Sequence, residues 1–115
     1  MSIHPIIKMG HPTLRKVAAP VVPSDLDRPE MHTLIADMVE TLHDAGGIGL
    51  AAPQIDRPIQ LAIIEVPGGP SRYGDIESIP LTVFFNPVLT VLDPAEAGYW
   101  EGCLSVPGLR GFVHR

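Results

Sequence analysis

The chain has 115 residues, a formal charge of −5 and a pI near 5.4, a length that suits one domain burying roughly 65% of its unfolded surface. Its 8 Lys and Arg are scattered among 13 Asp and Glu, which excludes the clustered cations of a protein that neutralises nucleic-acid phosphates. No stretch reaches the ~20 uninterrupted apolar residues of a membrane span, "MSIHPIIKMG" lacks the apolar core and cleavage site of a signal peptide, and one cysteine closes no internal disulfide, so a soluble, cytoplasmic protein is expected.

The 13 prolines and 11 glycines predict short elements joined by tight turns. The one clear helix lies in "DRPEMHTLIADMVETLHDAGG", from Asp27 onward. Met31, Leu34, Ile35, Met38, Val39 and Leu42 fall on one stripe of an amphipathic helix. Pro29 suits the first turn, where its missing N–H has no partner, and Glu30 suits the positive end. Gly46 or Gly47 supplies the left-handed stop.

Past the helix, "IQLAIIEV" (residues 59–66) is a near-continuous apolar, β-branched run and reads as a buried strand. Residues 67–80 read as a turn-rich loop, and "LTVFFNPVLTVL" (residues 81–92) as a further strand, with Pro87 marking an edge or a bulge. Residues 97–100 begin another extended segment. One helix against several strands predicts an α+β fold in a single domain over residues 1–115.

Two loops carry the chemistry. In "GGIGLAAPQ" (residues 46–54), Gly47, Gly49 and Ala52 match the G-x-G-x-x-A of a dinucleotide fingerprint. That motif must follow a strand and open a helix, whereas this one follows a helix and meets Pro53. Helix capping by Gly46 and Gly47, with Leu50, Ala51 and Ala52 packed as a small-residue strand, accounts for the glycines but not for Gln54. In "GYWEGCLSVPG" (residues 98–108), the only cysteine, Cys103, stands among small residues. A lone thiol can ligate a metal, attack a substrate or fill space.

"GIGLAAPQ" followed later by "EGCLS" resembles the peptide deformylase family, whose first two signatures are G-x-G-x-A-A-x-Q and E-G-C-x-S. They stand here as Gly47, Gly49, Ala51, Ala52 and Gln54, and as Glu101, Gly102, Cys103 and Ser105. "KMGHPTLRKVA" (residues 8–18) is similar to the family's N-terminal arm. The resemblance implies a fold with one amphipathic helix on antiparallel strands. It also implies metal-assisted hydrolysis of the formyl group of N-formylmethionyl nascent peptides, near the ribosome, with one divalent ion, Fe(II) natively and Zn or Ni as substitutes.

The same resemblance assigns Cys103 as the thiolate ligand, and Gln54 with the Leu104 N–H as donors to the oxyanion of the hydrolysis. Ile48 would line the methionine pocket. Gly49 would offer its carbonyl to the peptide from the Gly47 loop, and Glu101 would sit on the substrate side, orienting the cysteine loop through Arg110 or Arg115.

A catalytic ion of this type needs three protein ligands and an open position. The family supplies two from a helical H-E-x-x-H, whose glutamate is the general base. That motif is absent here: the histidines are His4, His11, His32, His43 and His114, and no two lie four apart. His32 and His43 fall off the apolar stripe and are expected to face solvent. The expectation is therefore a C-terminally truncated deformylase domain, lacking the C-terminal helix, with exposed apolar surface that favours self-association.

Two other classes remain open. One is a cysteine hydrolase using Cys103 with His114 or His43 as base, although no cationic activator flanks the thiol. The other is an inactive deformylase-like fragment that binds peptides or assembles without turnover.

Overall fold

The computed structural model describes residues 1–71 and 74–115. A helix-breaking N-terminal stretch leads through short 3-10 turns at Pro12–Arg15 and Pro23–Asp25 into the helix α1, Pro29–Ala45. Arg28 is extended (φ −70°, ψ 140°), as the residue before a proline must be. Gly46 ends the helix at φ 69°, its N–H directed at the carbonyls of Leu42 and His43, a left-handed stop that favours glycine. Met31, Leu34, Met38 and Leu42 are buried along one stripe, with Ile35 and Val39 half-buried at its border.

Two short strands follow, β1 (Gly49–Ala51) and β2 (Leu61–Val66), separated by a 3-10 turn at Ala52–Ile55. Next come β3 (Gly69–Ser71), β4 (Gly74–Ile76) and β5 (Ile79–Phe85). The main sheet is antiparallel in the order β1-β2-β5, with Leu50 opposite Ile63 and Ile63 opposite Val83. Leu61 and Ile63 point into the core with Leu50, Ala52 and Ile55, against Met38 and Leu42 of α1. Ile64 on the opposite face is exposed, so the apolar run of β2 packs on one side only.

Three sequence expectations change. Residues 67–80 hold a small antiparallel hairpin, β3 with β4, rather than a loop alone; its tip, residues 72–73, lies outside the described residues. The strand expected over 81–92 begins earlier and stops at Phe85. Asn86 ends it in the left-handed region (φ 49°), and its amide exchanges two bonds of 2.7 Å with the Val21 N–H and carbonyl. That side chain takes the place of a continuing strand, so Pro87 interrupts no ladder, and Val88, Leu89, Val91 and Leu92 are exposed. Finally, Ala52 belongs to the 3-10 turn, and only Gly49–Ala51 form the strand after the glycines.

The last two strands, β6 (Gly98–Cys103) and β7 (Val106–His114), form a separate antiparallel ribbon joined by the two-residue turn of Leu104 and Ser105. Trp100 and Phe112 pair edge-to-face across it, ring centroids 5.5 Å apart, and both are exposed. The radius of gyration, 15.1 Å, exceeds the ~13 Å of a compact 100-residue domain because this ribbon stands off the helix and main sheet. Among the described residues, no helix is long and apolar enough to cross a membrane.

Candidate functional site

The ribbon tip faces the loop after α1 and leaves an open cleft of about 970 Å³, lined among others by Lys8, Ile48, Gly49, Gln54, Cys103 and Leu104. Both motifs reach this cleft from elements far apart in sequence. The 3-10 turn at Ala52–Ile55 holds Gln54 at its third position. The Gln54 side-chain carbonyl accepts the Ala51 N–H at 2.9 Å, and this bond fixes which end of the amide faces the cleft. Gln54 Nε2 then donates to Ser105 Oγ at 3.1 Å and to Cys103 Sγ at 3.7 Å.

Cys103 ends β6 and is exposed, while Ser105, in the turn, is buried. A rigid amide thus meets a reachable thiol. The two-residue turn also brings Leu104 to the cleft, and its side chain packs on Gly47. A Cβ on Gly47 would lie 2.9 Å from Leu104 Cδ1 and 3.1 Å from Leu42 Cδ1, so the glycine permits the loop and the ribbon to touch. Ile48 is 57% exposed, an apolar side chain open to whatever enters the cleft. Gly49 lies in β1, an edge strand, whose outer backbone groups face away from the sheet.

Glu101 is held by Arg115 rather than Arg110. Arg115 donates from Nε to Oε1 at 2.5 Å and from Nη2 to Oε2 at 2.8 Å, a bidentate fork. This contact holds the Glu101 carboxyl below its ordinary value and raises the guanidinium. Arg110 lies opposite Gly102 in the ribbon register. Glu101 therefore ties the two strands of the ribbon together behind the cysteine.

The histidines are dispersed. His114 pairs with Gly98 at the end of the ribbon away from Cys103, which pairs with Val106. His43 is half-exposed and bonds Glu65 of β2 from the end of α1; His11 accepts the Thr13 N–H at 3.1 Å and caps the first 3-10 turn. His32 is exposed. Among the described residues, no group of three or more His, Cys, Asp and Glu gathers to hold a metal ion. Cys103 suits one ligand position, but these residues do not make a complete ligand set. The cysteine-hydrolase alternative loses His114 on the same geometry, and His43 is already paired with Glu65.

A polar cluster that the sequence reading left unassigned sits under the N-terminal segment. Asp37, buried on the helix stripe, accepts from His4 Nε2 at 2.9 Å and from the Ser2 N–H at 2.7 Å. Thr41 Oγ1 accepts the His4 N–H at 2.9 Å and donates to the Asp37 carbonyl. The signal was present: Asp37 and Thr41 fall between Leu34, Met38 and Leu42 on the inward face, where a polar residue needs a partner.

The polypeptide deformylase family model matches residues 3–115. The chain belongs to the polypeptide deformylase family. It is 49% identical over 113 residues to peptide deformylase 2 of Pseudomonas syringae pv. tomato, covering 98% of this chain and 63% of that relative. It is 50% identical over 113 residues to peptide deformylase 1 of Bordetella pertussis, covering 98% of this chain and 62% of that relative. The chain thus spans a little under two thirds of the length of these relatives. A Met-Ala-Ser-bound crystal structure of a class I type b peptide deformylase from Acinetobacter baumannii superposes with a TM-score of 0.88 at 31% identity, covering 100% of this chain and 72% of that one. The peptide deformylase of Thermotoga maritima gives 0.82 at 29% identity, covering 100% of this chain and 69% of that one. The α+β expectation of one helix with antiparallel sheets therefore holds, and it is the deformylase fold over the part described. Deformylases are metal-dependent as a family, and the cleft holds the single thiol of this chain, Cys103.

Proposed function

We propose that this protein hydrolyses the formyl group of N-formylmethionyl peptides at the cleft between the Gly47 loop and the ribbon tip. The observation that carries this reading is the convergence of Gln54 with Cys103 and Ser105 from two motifs of a chain that belongs to the deformylase family. Cys103 would supply one thiolate ligand to a divalent ion, Fe(II) natively with Zn or Ni as substitutes; among the described residues no further ligand group gathers beside it. A bound ion would supply the Lewis acidity for attack on the formyl carbon.

The chain's own residues do the rest. Gln54 Nε2, locked through its Ala51 bond, and the Leu104 N–H act as donors to the developing oxyanion, where one preorganised donor is worth about 3–4 kcal/mol of barrier. Ile48 receives the methionine side chain, an apolar surface for a flexible thioether. Gly49, on the free edge of β1, bonds the peptide backbone, with Gly47 keeping the loop close enough to the ribbon. Glu101, clamped by Arg115, keeps the cysteine strand in register behind the bound peptide. The Acinetobacter structure with Met-Ala-Ser bound supports a methionine-headed peptide as occupant. Such peptides emerge from translation, so the working site is the cytoplasm near the ribosome.

The test is formate release from N-formyl-Met-Ala-Ser by protein able to form a complete metal centre, supplied with Fe(II) or Ni(II). Formate and free Met-Ala-Ser in equal amounts are expected. Tight binding of the formyl peptide without release would overturn the catalytic reading in favour of a peptide-binding module.

A further inference from the structure

The ribbon that carries Cys103 makes little direct contact with the main sheet and helix, yet its tip must stay in register with Gln54. The N-terminal segment spans that gap. At one end, Ser2 and His4 are fastened to Asp37 and Thr41 on α1. Further along, the Ile7 N–H donates to the Gln54 carbonyl at 2.8 Å, and the Met9 N–H donates to the Ser105 carbonyl at 2.8 Å. Between them, Lys8 Nζ donates to the Leu104 carbonyl at 3.2 Å. Within three residues, one segment holds the backbones of both motif loops.

We infer that residues 2–9 are a positioning strap, latched to α1 through His4 and Asp37, that sets the distance between Gln54 and the Cys103–Ser105 turn. His4 is then a positioning residue for the cleft although it lies on the far side of the strap. Ile7 and Met9 stand two residues apart, just ahead of and within the turn closed by the His11 N–H on the Lys8 carbonyl, and their N–H groups meet Gln54 and Ser105 respectively. This inference rests on the deformylase reading for its role in turnover, but the geometry it asserts is measurable without turnover.

The experiment uses 15N-labelled protein carrying His4→Ala or His4→Gln. His4 is partly exposed, and in His4→Ala the Asp37 carboxylate keeps the Ser2 N–H as a partner. In His4→Ala the Ile7 and Met9 amides should exchange about ten-fold faster, the effect of losing one charge-assisted latch. The Gln54 side-chain amide resonances should move toward those of a free amide. His4→Gln, whose amide can still donate to Asp37, should restore both, which simple loss of stability would not. Lys8→Ala, at the exposed middle of the strap, should shift the Gln54 resonances without touching the helix. Faster exchange at Ile7 and Met9 with unmoved Gln54 resonances in His4→Ala would overturn the proposal, as would full protection of both amides. A protein that releases no formate removes the catalytic reading while leaving these signals to decide the strap.

Discussion

Gln54 Nε2 and Ser105 Oγ lie 3.1 Å apart although 51 residues separate them in sequence. The contact closes the cleft from both motifs, and the same nitrogen reaches Cys103 Sγ. Replacing Gln54 by Ala removes the donor without removing a ligand. In protein carrying a complete metal centre, Gln54→Ala should retain bound metal and lose about 10²–10³ in kcat, the typical effect of one oxyanion donor. Unchanged kcat at full metal occupancy would sink the assigned role.

Gly47 is the point where the loop and the ribbon touch. An added Cβ meets the ends of Leu104 and Leu42, which must shift against a packed core. Gly47→Ala should cost about 1–2 kcal/mol as a small overpacking, read as a lower midpoint in urea with an unchanged slope. It should also raise KM for the formyl peptide, because Leu104 is displaced toward the cleft. A variant as stable as the parent would contradict the contact.

Acid sensitivity follows from the strap latch. The Asp37 carboxyl is held below its ordinary 3.8, first by the His4 side chain and then by the Ser2 N–H. A carboxyl with a depressed folded value binds fewer protons folded than unfolded, so its contribution to stability is present above its unfolded value and is lost as pH falls through the folded one. The thermal midpoint should therefore drop on acidification below about pH 4, and Asp37→Asn should flatten that drop. An identical slope in Asp37→Asn would assign the acid loss elsewhere, Glu101 with Arg115 being the other depressed carboxylate.

Exposed apolar surface predicts association. Leu89 and Leu92 are 97% and 94% exposed, and Trp100 and Phe112 are 62% and 53% exposed, apolar surface that a second copy of the chain can cover. Sedimentation velocity on the 115-residue chain should show the mean mass rising from micromolar to millimolar concentration. A single monomeric species throughout would show that this surface is tolerated.

The helix was legible because three independent signals agreed: the stripe from Met31 to Leu42, Pro29 at its start and Gly46 at its end. The site was legible for a different reason, since both motifs survive as short contiguous strings around Gln54 and Cys103. The end of β5 was not, because it depends on the Asn86 side chain bonding Val21, a pairing that no local pattern announces. The same holds for Asp37, whose partner His4 comes from another part of the chain. The choice of Arg115 over Arg110 for Glu101 was likewise a matter of ribbon register, which the turn at Leu104 and Ser105 sets.

The most direct test of the account measures metal content and formate release together in the parent and in Cys103→Ala, each in protein able to form a full metal centre. The parent should bind one ion per chain and release formate, and Cys103→Ala should lose both in parallel. A Cys103→Ala protein that remains metal-loaded and active would contradict it.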